Sequence, residues 1–283
     1  MAVFTEMSDS DIRQLQDVYS FDRMSSVTGI VEGDTETTYA LRAGSDEYIL
    51  TIFETDVEAA DLERAFRTME TLRHHDVPCP APKRTRHGAA SFVLGRKLAA
   101  LVSFVEGNNA TDATVSKCLR LGHQAATVHR ALNPAYGLSG TTQSELPRGW
   151  IHGALNKNNV MFTGDAVTGI INFRLRHTDF LVSEIADIIA EWAIVGGLLD
   201  RERAHALLEG YDDARPLTLQ ELASLPLFVV SSSAKLAAAK QLAQPLDLAV
   251  LERHVTDVVA GSREGLVDQF IGTGRYLPDG LPS

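Results

Sequence analysis

The segment WIHGALNKNNVMFTGDAVTGIINF, residues 150–173, joins a polar loop to two short apolar runs. The runs 160–162 and 167–173 are rich in β-branched and aromatic residues and are separated by turn residues, so they predict two short strands. The loop before them carries a histidine, a lysine and several asparagines. This loop and the strand that ends at residue 173 are therefore the first candidate for a functional site.

The chain before this segment reads as a small β-rich lobe. Residues 9–19 place apolar side chains at helical spacing, and the stretch 26–54 contains three β-rich runs broken by turn residues. A second helix is predicted over 57–75, and it ends before VPCPAP because residues preceding proline disfavour helix. Two further strands near 90–95 and 98–104 complete a predicted antiparallel sheet of about five strands.

The remaining chain is predominantly helical. A long helix is predicted over 112–132, and four more are predicted over about 180–196, 201–213, 218–240 and 246–261. The tail after these helices is predicted to be irregular. The pattern predicts an α+β fold with two lobes, 1–104 and 105–283, and such a plan favours a ligand in the cleft between the lobes.

Composition excludes several classes of function. A net charge of −11 argues against non-specific binding of nucleic acid, which requires a basic surface. The two cysteines lack metal-site spacing and are expected to be free thiols. The N-terminus has no signal-peptide pattern, and no apolar run is expected to span a bilayer. We therefore expect a cytoplasmic protein that binds neither nucleic acid nor a membrane.

Several short motifs in the same order resemble those of a known group. They are MAVFTEMSD at the N-terminus, YILTIFE, VPCPAP, LVSFVEG, the segment LPRG followed by residues 150–173, and GYDDARPLTLQELASLPLF. The chain resembles the homoserine kinase-like branch of the aminoglycoside phosphotransferase and choline kinase superfamily. The resemblance implies a bilobal protein kinase-like fold that binds ATP. It places the adenine against residues 103–107, which include Phe104 and Glu106, and the phosphates near Gly33.

The quoted segment departs from the motif of this family at two positions. His152, Gly153 and Asn159 match it, but Ala154 stands where the family carries a catalytic aspartate, and Asn172 stands where it carries a metal-binding aspartate. Kinases of this class need a carboxylate to orient the attacking hydroxyl group and further carboxylate charge to hold magnesium. A third acid of the family motif is expected at Glu184.

A stretch that surrounds the acceptor in the family is also short. Relatives carry some tens of mostly helical residues between the long helix and the loop, whereas this chain passes from His129 to Trp150 in about twenty positions. The resemblance then implies that the pocket for a small alcohol is open or absent.

The residues after Asn172 suggest that the charge of the site has changed from negative to positive. Arg174 and Arg176 alternate on an extended stretch, with Lys157 and His177 as potential neighbours, and arginine binds phosphate or carboxylate through two parallel hydrogen bonds. The alternative is a structural network in which the arginines pair with acids of the next helix, namely Asp179, Glu184 and Asp187. His152 is expected to be a structural histidine bonded to the loop.

Three functions remain open from the sequence. The first is a pseudokinase that acts as a binding or scaffolding subunit. The second is a repurposed enzyme that carries out cyclisation or elimination on a larger substrate such as a peptide, with His177, Asp179 or Glu184 as acid or base. The third is a residual or inactivated small-molecule kinase.

The predicted ligands and binding residues follow from these readings. No cofactor or metal is required, ATP or another anionic ligand is compatible with the site, and the partner is a small molecule, nucleotide or peptide, with a protein partner also open. The candidate ligand-binding residues are Gly33, Phe104, Glu106, His152, Lys157, Asn159, Asn172, Arg174 and Arg176.

Overall fold

The computed structural model describes residues 5–30, 36–55, 57–134, 146–240 and 246–272. Within it the chain forms two compact units. The first unit consists of Met1–Ala110 together with Asn158–His177, and the second consists of Thr111–Lys157 together with Thr178–Ser283. The sequence prediction put all of 105–283 into one lobe, whereas the segment 158–177 groups with the N-terminal residues.

The first unit is built around an antiparallel sheet. Its elements in chain order are α1 (Asp9–Tyr19), β1 (Met24–Ile30), β2 (Glu36–Ala43), β3 (Asp46–Phe53), α2 (Ala59–His74), β4 (Pro82–Lys83), β5 (Phe92–Leu94) and β6 (Lys97–Ser103). The strand order is β1-β2-β3-β6-β4, and β5 pairs with β6. The predicted meander and both later strands are present. The short strand β4, which a proline begins, is a sixth member that the sequence reading missed.

Alternation along the central strands separates the two faces of this sheet. Leu50 and Ile52 of β3 are fully buried and share a core cluster with Leu15 of α1 and with Tyr39 and Leu41 of β2. Because side chains alternate between faces along a strand, Thr51 and Phe53 point to the other side of the sheet. Helix α1 starts at a capping box in which the Ser8 and Asp11 side chains bond each other's backbone N–H groups.

The segment 158–177 joins the first unit through backbone contacts. It contributes β9 (Val160–Thr163) and β10 (Ala166–Ile170), which form a sheet of order β10-β9-β7 with β7 (Asn108–Asn109). The Ile170 N–H donates to the Pro78 carbonyl at 2.7 Å. A Cβ added at Gly169 would collide with the Val105 side chain, so the hairpin lies directly against that side chain. These contacts explain why the chain does not divide once, near residue 104.

The second unit is mainly helical. Its elements are α3 (Val115–Leu132), β8 (Arg148–Ile151), β11 (His177–Phe180), α4 (Leu181–Trp192), β12 (Ile194–Val195), β13 (Leu198–Leu199), α5 (Arg201–Ala214), α6 (Leu219–Lys240) and α7 (Leu248–Gly272). All five predicted helices are present, and α7 extends past the predicted end at residue 261. The tail 273–283, predicted to be irregular, lies outside the described residues.

Two glycines allow α3 and α5 to pack closely. A Cβ added at Gly122 of α3 would collide with the backbone carbonyl of Leu207, and one added at Gly210 of α5 would collide with that of Leu119. The contact is therefore backbone against backbone, and neither helix has room there for a larger residue.

Helix α6 corrects one expectation from composition. Within the described ranges, Leu219–Ala239 is one helix that is long and apolar enough to cross a membrane, because alanines and leucines sustain its hydropathy. Buried side chains recur along one face of this helix, and its buried Glu221 pairs with Arg215 at 2.9 Å. A core helix passes the same test of length and composition, so this feature is weak evidence for a membrane span.

Candidate functional site

The loop that follows β8 is held by its own backbone and by helix α4. His152 is completely buried, and its Nδ1 accepts the N–H of Ala154 at 3.2 Å, which is the structural role expected for it. Gly153 has a φ of 79°, a conformation that favours glycine. The indole N–H of Trp192 donates to the Leu155 carbonyl at 2.8 Å, and the Lys157 amine lies 5.9 Å from the Trp192 ring.

Glu184 of α4 is the centre of this support. Its carboxylate is buried and accepts the N–H groups of His152 at 3.1 Å and Gly153 at 2.5 Å, as well as His129 Nε2 at 2.7 Å. Burial alone would raise the pKa of Glu184, but the His129 hydrogen bond, the nearby imidazoles and the Gly153 N–H lower it below its ordinary value. We therefore correct the suggestion that Glu184 acts as an acid or base, since this geometry leaves its carboxylate no access to a ligand.

The polar network continues away from the loop. His129 Nδ1 lies 2.7 Å from the Tyr211 hydroxyl, which accepts from Arg215 at 3.0 Å, and Arg215 also donates to Glu221 at 2.9 Å. All of these groups are buried. The loop backbone is thus coupled to four helices through paired polar groups, and none of the contacts described here uses the side chain of residue 154.

A short connection ends next to this loop. The Asn133 side chain donates to the carbonyls of His129 and Trp150 at 2.9 and 2.8 Å and accepts the Trp150 N–H at 2.7 Å. A Cβ at Gly149 would collide with the Asn133 amide, so glycine is required there. One side chain therefore joins the end of α3 to β8. Residues 135–145 lie outside the described ranges.

In the first unit, Asn159 and Asn172 border the hairpin. Asn159 is buried, and its carbonyl accepts the Ile171 N–H at 3.0 Å. Asn172 is exposed and has φ 72° and ψ 43°, a left-handed conformation that asparagine and aspartate tolerate better than most residues. The backbone at this position is therefore compatible with either residue, and only the charge of the side chain differs.

Arg174 has a partner that the sequence reading did not anticipate. It forms an ion pair with Glu36, the first residue of β2, and its guanidinium lies 4.7 Å from the centre of the Phe53 ring. Burial raises the pKa of Glu36 above its ordinary value, although the charge of Arg174 opposes this. For Arg174, the alternative network with Asp179, Glu184 and Asp187 is therefore corrected, because its carboxylate partner is on β2.

Arg176 is placed differently. Its guanidinium donates to the Phe173 carbonyl at 2.9 Å, and burial together with the nearby charge of Arg64 lowers its pKa. His177 is exposed, with Nδ1 3.1 Å from the Leu175 carbonyl, and the Asp179 carboxylate accepts the N–H of Phe180 at 2.8 Å. Arg176 is thus bonded within its own turn, and His177 and Asp179 contact residues one or two positions away in the chain.

Phe104 and Glu106 line a groove of about 600 Å³ in the first unit, together with Tyr48 and Lys83. The Phe104 N–H donates to the Glu47 carbonyl at 2.9 Å, next to the start of β3. Arg174 lies beside Phe53 at the other end of β3. Phe53 is five residues along the strand from Tyr48 of the groove, a distance of about 17 Å at ~3.3 Å per residue. The groove and the arginine are therefore separate features. Gly33, the predicted phosphate position, lies outside the described residues.

Two positions of the family motif lack a carboxylate. The side chain of Asn172 offers one neutral amide oxygen, and that of Ala154 offers no oxygen. Within the part of the chain that the structure describes, no group of three His, Cys, Asp or Glu side chains is placed to hold a metal ion. The carboxylates that magnesium prefers are thus missing at both positions.

Comparison with known proteins identifies the family. The phosphotransferase enzyme family matches residues 26–143 and 134–217. Homoserine kinase of Methylobacterium radiotolerans is 32% identical over 267 residues, covering 80% of this chain and 83% of that protein. Homoserine kinase of Gluconacetobacter diazotrophicus is 30% identical over 277 residues, covering 83% and 86%. The chain belongs to the phosphotransferase enzyme family.

Solved structures agree on the fold of this phosphotransferase family member. An amicoumacin kinase in complex with AMP-PNP, Ca2+ and Ami superposes with a TM-score of 0.66 at 14% identity, over 90% of this chain and 94% of that one. A microcompartment-associated aminopropanol kinase gives 0.60 at 16% identity, over 94% and 98%. The predicted α+β, protein kinase-like fold is confirmed, as is the predicted superfamily.

Sequence reasoning missed the partners that fix the charged groups of this family member. Glu36 and Phe53 were not recognised around Arg174, and Glu70 was not recognised as a partner of Arg84. Glu70 accepts two hydrogen bonds from Arg84, at 2.7 and 2.9 Å. Strand register alone could have placed Glu36 opposite Phe53, where the two residues pair.

Proposed function

We propose that this phosphotransferase family member is a pseudokinase, which binds a nucleotide or another anionic ligand without transferring phosphate. Ala154 carries this proposal, because it occupies the catalytic-acid position of a loop whose supporting contacts are all made. His152, Gly153 and Glu184 form that support without any contribution from the side chain at residue 154. The missing carboxylate therefore leaves the loop conformation intact and removes only the chemistry.

Two losses act on different parts of phosphoryl transfer. Without an acid at 154, no carboxylate orients the attacking hydroxyl, and without one at 172, magnesium is held poorly on the phosphates. Positioning and metal-borne charge supply almost all catalysis in this reaction class. The loss of both acids supports a binding or scaffolding role, in which a protein partner binds the ligand-bound form.

The names of the relatives favour a second candidate function. The two proteins at 32% and 30% identity are homoserine kinases, so a small-molecule kinase that works without the two usual acids is the alternative. A repurposed enzyme is a weaker third reading, since only His177 and Asp179 remain of its proposed acid–base groups.

A turnover assay separates these functions. The purified protein is incubated with ATP, magnesium and either homoserine, choline or an aminoglycoside, and ADP release is followed. We expect no alcohol-dependent release above background. Magnesium-dependent release that rises with one of these alcohols would establish the kinase and reject the pseudokinase.

Reversion of the two acids tests the reason for inactivity. Ala154→Asp alone is expected to stay inactive, because Asn172 still holds magnesium poorly. The double variant Ala154→Asp with Asn172→Asp is expected to recover slow ATP hydrolysis at most, because the stretch that surrounds the acceptor in the family is short in this chain. Efficient turnover by Ala154→Asp alone would show that the metal site works with Asn172.

The anionic ligand is expected to bind without a divalent metal. In kinases of this class, magnesium offsets repulsion between phosphates and the enzyme's acids, and the family's acids at positions 154 and 172 are absent from this chain. Calorimetry with ATP in the presence of magnesium and of a chelator measures the requirement. Equal affinity in both supports the proposal, and binding that depends on magnesium contradicts it.

A further inference from the structure

The ion pair between Arg174 and Glu36 raises the question of what occupies the arginine when a ligand arrives. We infer that Glu36 is an internal anion bound to Arg174, and that an oxyanion of the phosphate class must displace it in order to bind. This inference rests on the proposed anion binding and gives that site a specific residue and a built-in competitor.

Solvent access makes the pair exchangeable. The side chains of Arg174 and Glu36 are 32% and 30% exposed, so a ligand can reach the guanidinium from solution. The pair differs in this respect from Arg215 and Glu221, whose side chains are almost completely buried. An ion pair that is partly in water is weak, and a multivalent anion competes with a single carboxylate for it.

The aromatic ring beneath Arg174 prepares it for this exchange. Phe53 is buried and fixed on β3, and the guanidinium lies over its ring at 4.7 Å from the centre. This contact does not involve Glu36, so the guanidinium keeps its position when the carboxylate leaves. An arginine held in this way presents its donors to an incoming phosphate with little loss of side-chain freedom.

The local charge favours the same class of ligand. Asn172, two residues before Arg174, is neutral and exposed where the family carries an aspartate. Burial also raises the pKa of Glu36, so its carboxylate is held away from water at some cost while it is paired. Displacement by a phosphate therefore returns Glu36 to solvent and meets no aspartate at residue 172.

Substitution of Glu36 tests the competition. Calorimetry in a chelator measures the affinity of inorganic triphosphate, ATP and adenosine for the wild type and Glu36→Gln. We expect Glu36→Gln to bind triphosphate and ATP about two- to threefold more tightly, since a partly exposed ion pair no longer has to be broken. Adenosine, which lacks phosphates, should show no change. A gain for ATP without a gain for triphosphate would contradict the inference, because the competing group would then not be the phosphates themselves.

A matched control removes the effect of net charge. Asp17→Asn makes the same change of charge in the same unit, at a carboxylate that pairs with Arg86 and does not line the groove of Phe104 and Glu106. We expect its triphosphate affinity to equal that of the wild type. The double variant Glu36→Gln with Arg174→Ala should lose the whole gain, and Glu36→Gln with Arg174→Lys should lose part of it, because lysine lacks the planar fork.

The result that overturns the inference is a triphosphate affinity of Glu36→Gln no higher than that of the wild type or of Asp17→Asn. Absence of triphosphate binding in every variant also overturns it, as does a gain that survives Arg174→Ala. Each of these outcomes is independent of the turnover assay. Phosphoryl transfer by the wild type would reject the pseudokinase, while a gain of about two- to threefold in Glu36→Gln would still establish the competition.

Discussion

The loop of the second unit and the arginine of the first unit are built on opposite principles. Glu184 holds the loop through buried groups that are mutually bonded, whereas Arg174 is held by one partly buried carboxylate and one aromatic ring. Burial with full pairing gives a rigid scaffold, and a partly hydrated ion pair gives a contact that a ligand can replace. The contacts that support the loop thus make no use of the side chain at residue 154, whereas the proposed anion binding depends on a contact that a ligand can replace.

Removal of Glu184 should have the largest effect on stability. Glu184→Ala leaves two backbone N–H groups and His129 without their buried acceptor, which should cost about 3–5 kcal/mol of the free energy of unfolding. Urea unfolding followed by circular dichroism measures the loss. A change below about 1 kcal/mol would show that the loop does not depend on this carboxylate.

A larger residue at the contact between α3 and α5 should have the second-largest effect on stability. Gly122→Ala introduces a Cβ against the Leu207 carbonyl and should cost about 3 kcal/mol, since the backbone must move. Gly261→Ala in α7 is the matched control, because open space surrounds that position. The control should be neutral or more stable by about 0.5–1 kcal/mol. Equal effects of the two changes would contradict the close approach of the helices.

The pH dependence of stability sharpens the role of Glu184. Its pKa is lowered in the folded state, so its contribution is present above the ordinary value of 4.5 and is lost as the pH falls through the lowered value. The free energy of unfolding should therefore drop more steeply below about pH 4.5 in the wild type than in Glu184→Gln. Superimposable profiles would assign the acid sensitivity to other groups.

The smallest effect is expected at the surface ion pairs of the first unit. A double-mutant cycle on Arg174 and Glu36 should give a coupling of about 0.5 kcal/mol, as is usual for exposed pairs. The cycle on Arg84 and Glu70 should give about 1 kcal/mol, because two donors of one guanidinium bind the carboxylate. The reverse order would mean that Arg174 is a structural residue rather than an exchangeable one.

Sequence reading predicted the helices and the main strands because their signals are local. Apolar spacing, capping residues and prolines placed all five helices of the second unit and the meander of the first. The grouping of 158–177 with the N-terminal residues has no local signal, since the hairpin in the middle of the chain joins them through contacts of Val105 and Pro78. Such contacts link residues more than sixty positions apart and have no local signature.

The candidate site shows the same limit. The motif identified His152, Ala154 and Asn172 by position, and a structural role for His152 follows from its burial. The partner of Arg174 could not be read in this way, because Glu36 approaches it only through strand register and the path of the chain after β10. Burial likewise separates Glu184, a support of the backbone, from acids that a ligand can reach.

The grouping of 158–177 with the N-terminal residues has a consequence for biosynthesis. A nascent chain that ends at Ala110 has β7 but neither β9 nor the Ile170 N–H that bonds to Pro78. The 67 residues from there to His177 follow over several seconds, at ~5–20 residues per second. Until these residues emerge, the Pro78 carbonyl and the backbone of β7 lack their hydrogen-bond partners. The N-terminal unit is therefore the first to begin folding and must wait for the middle of the chain to finish.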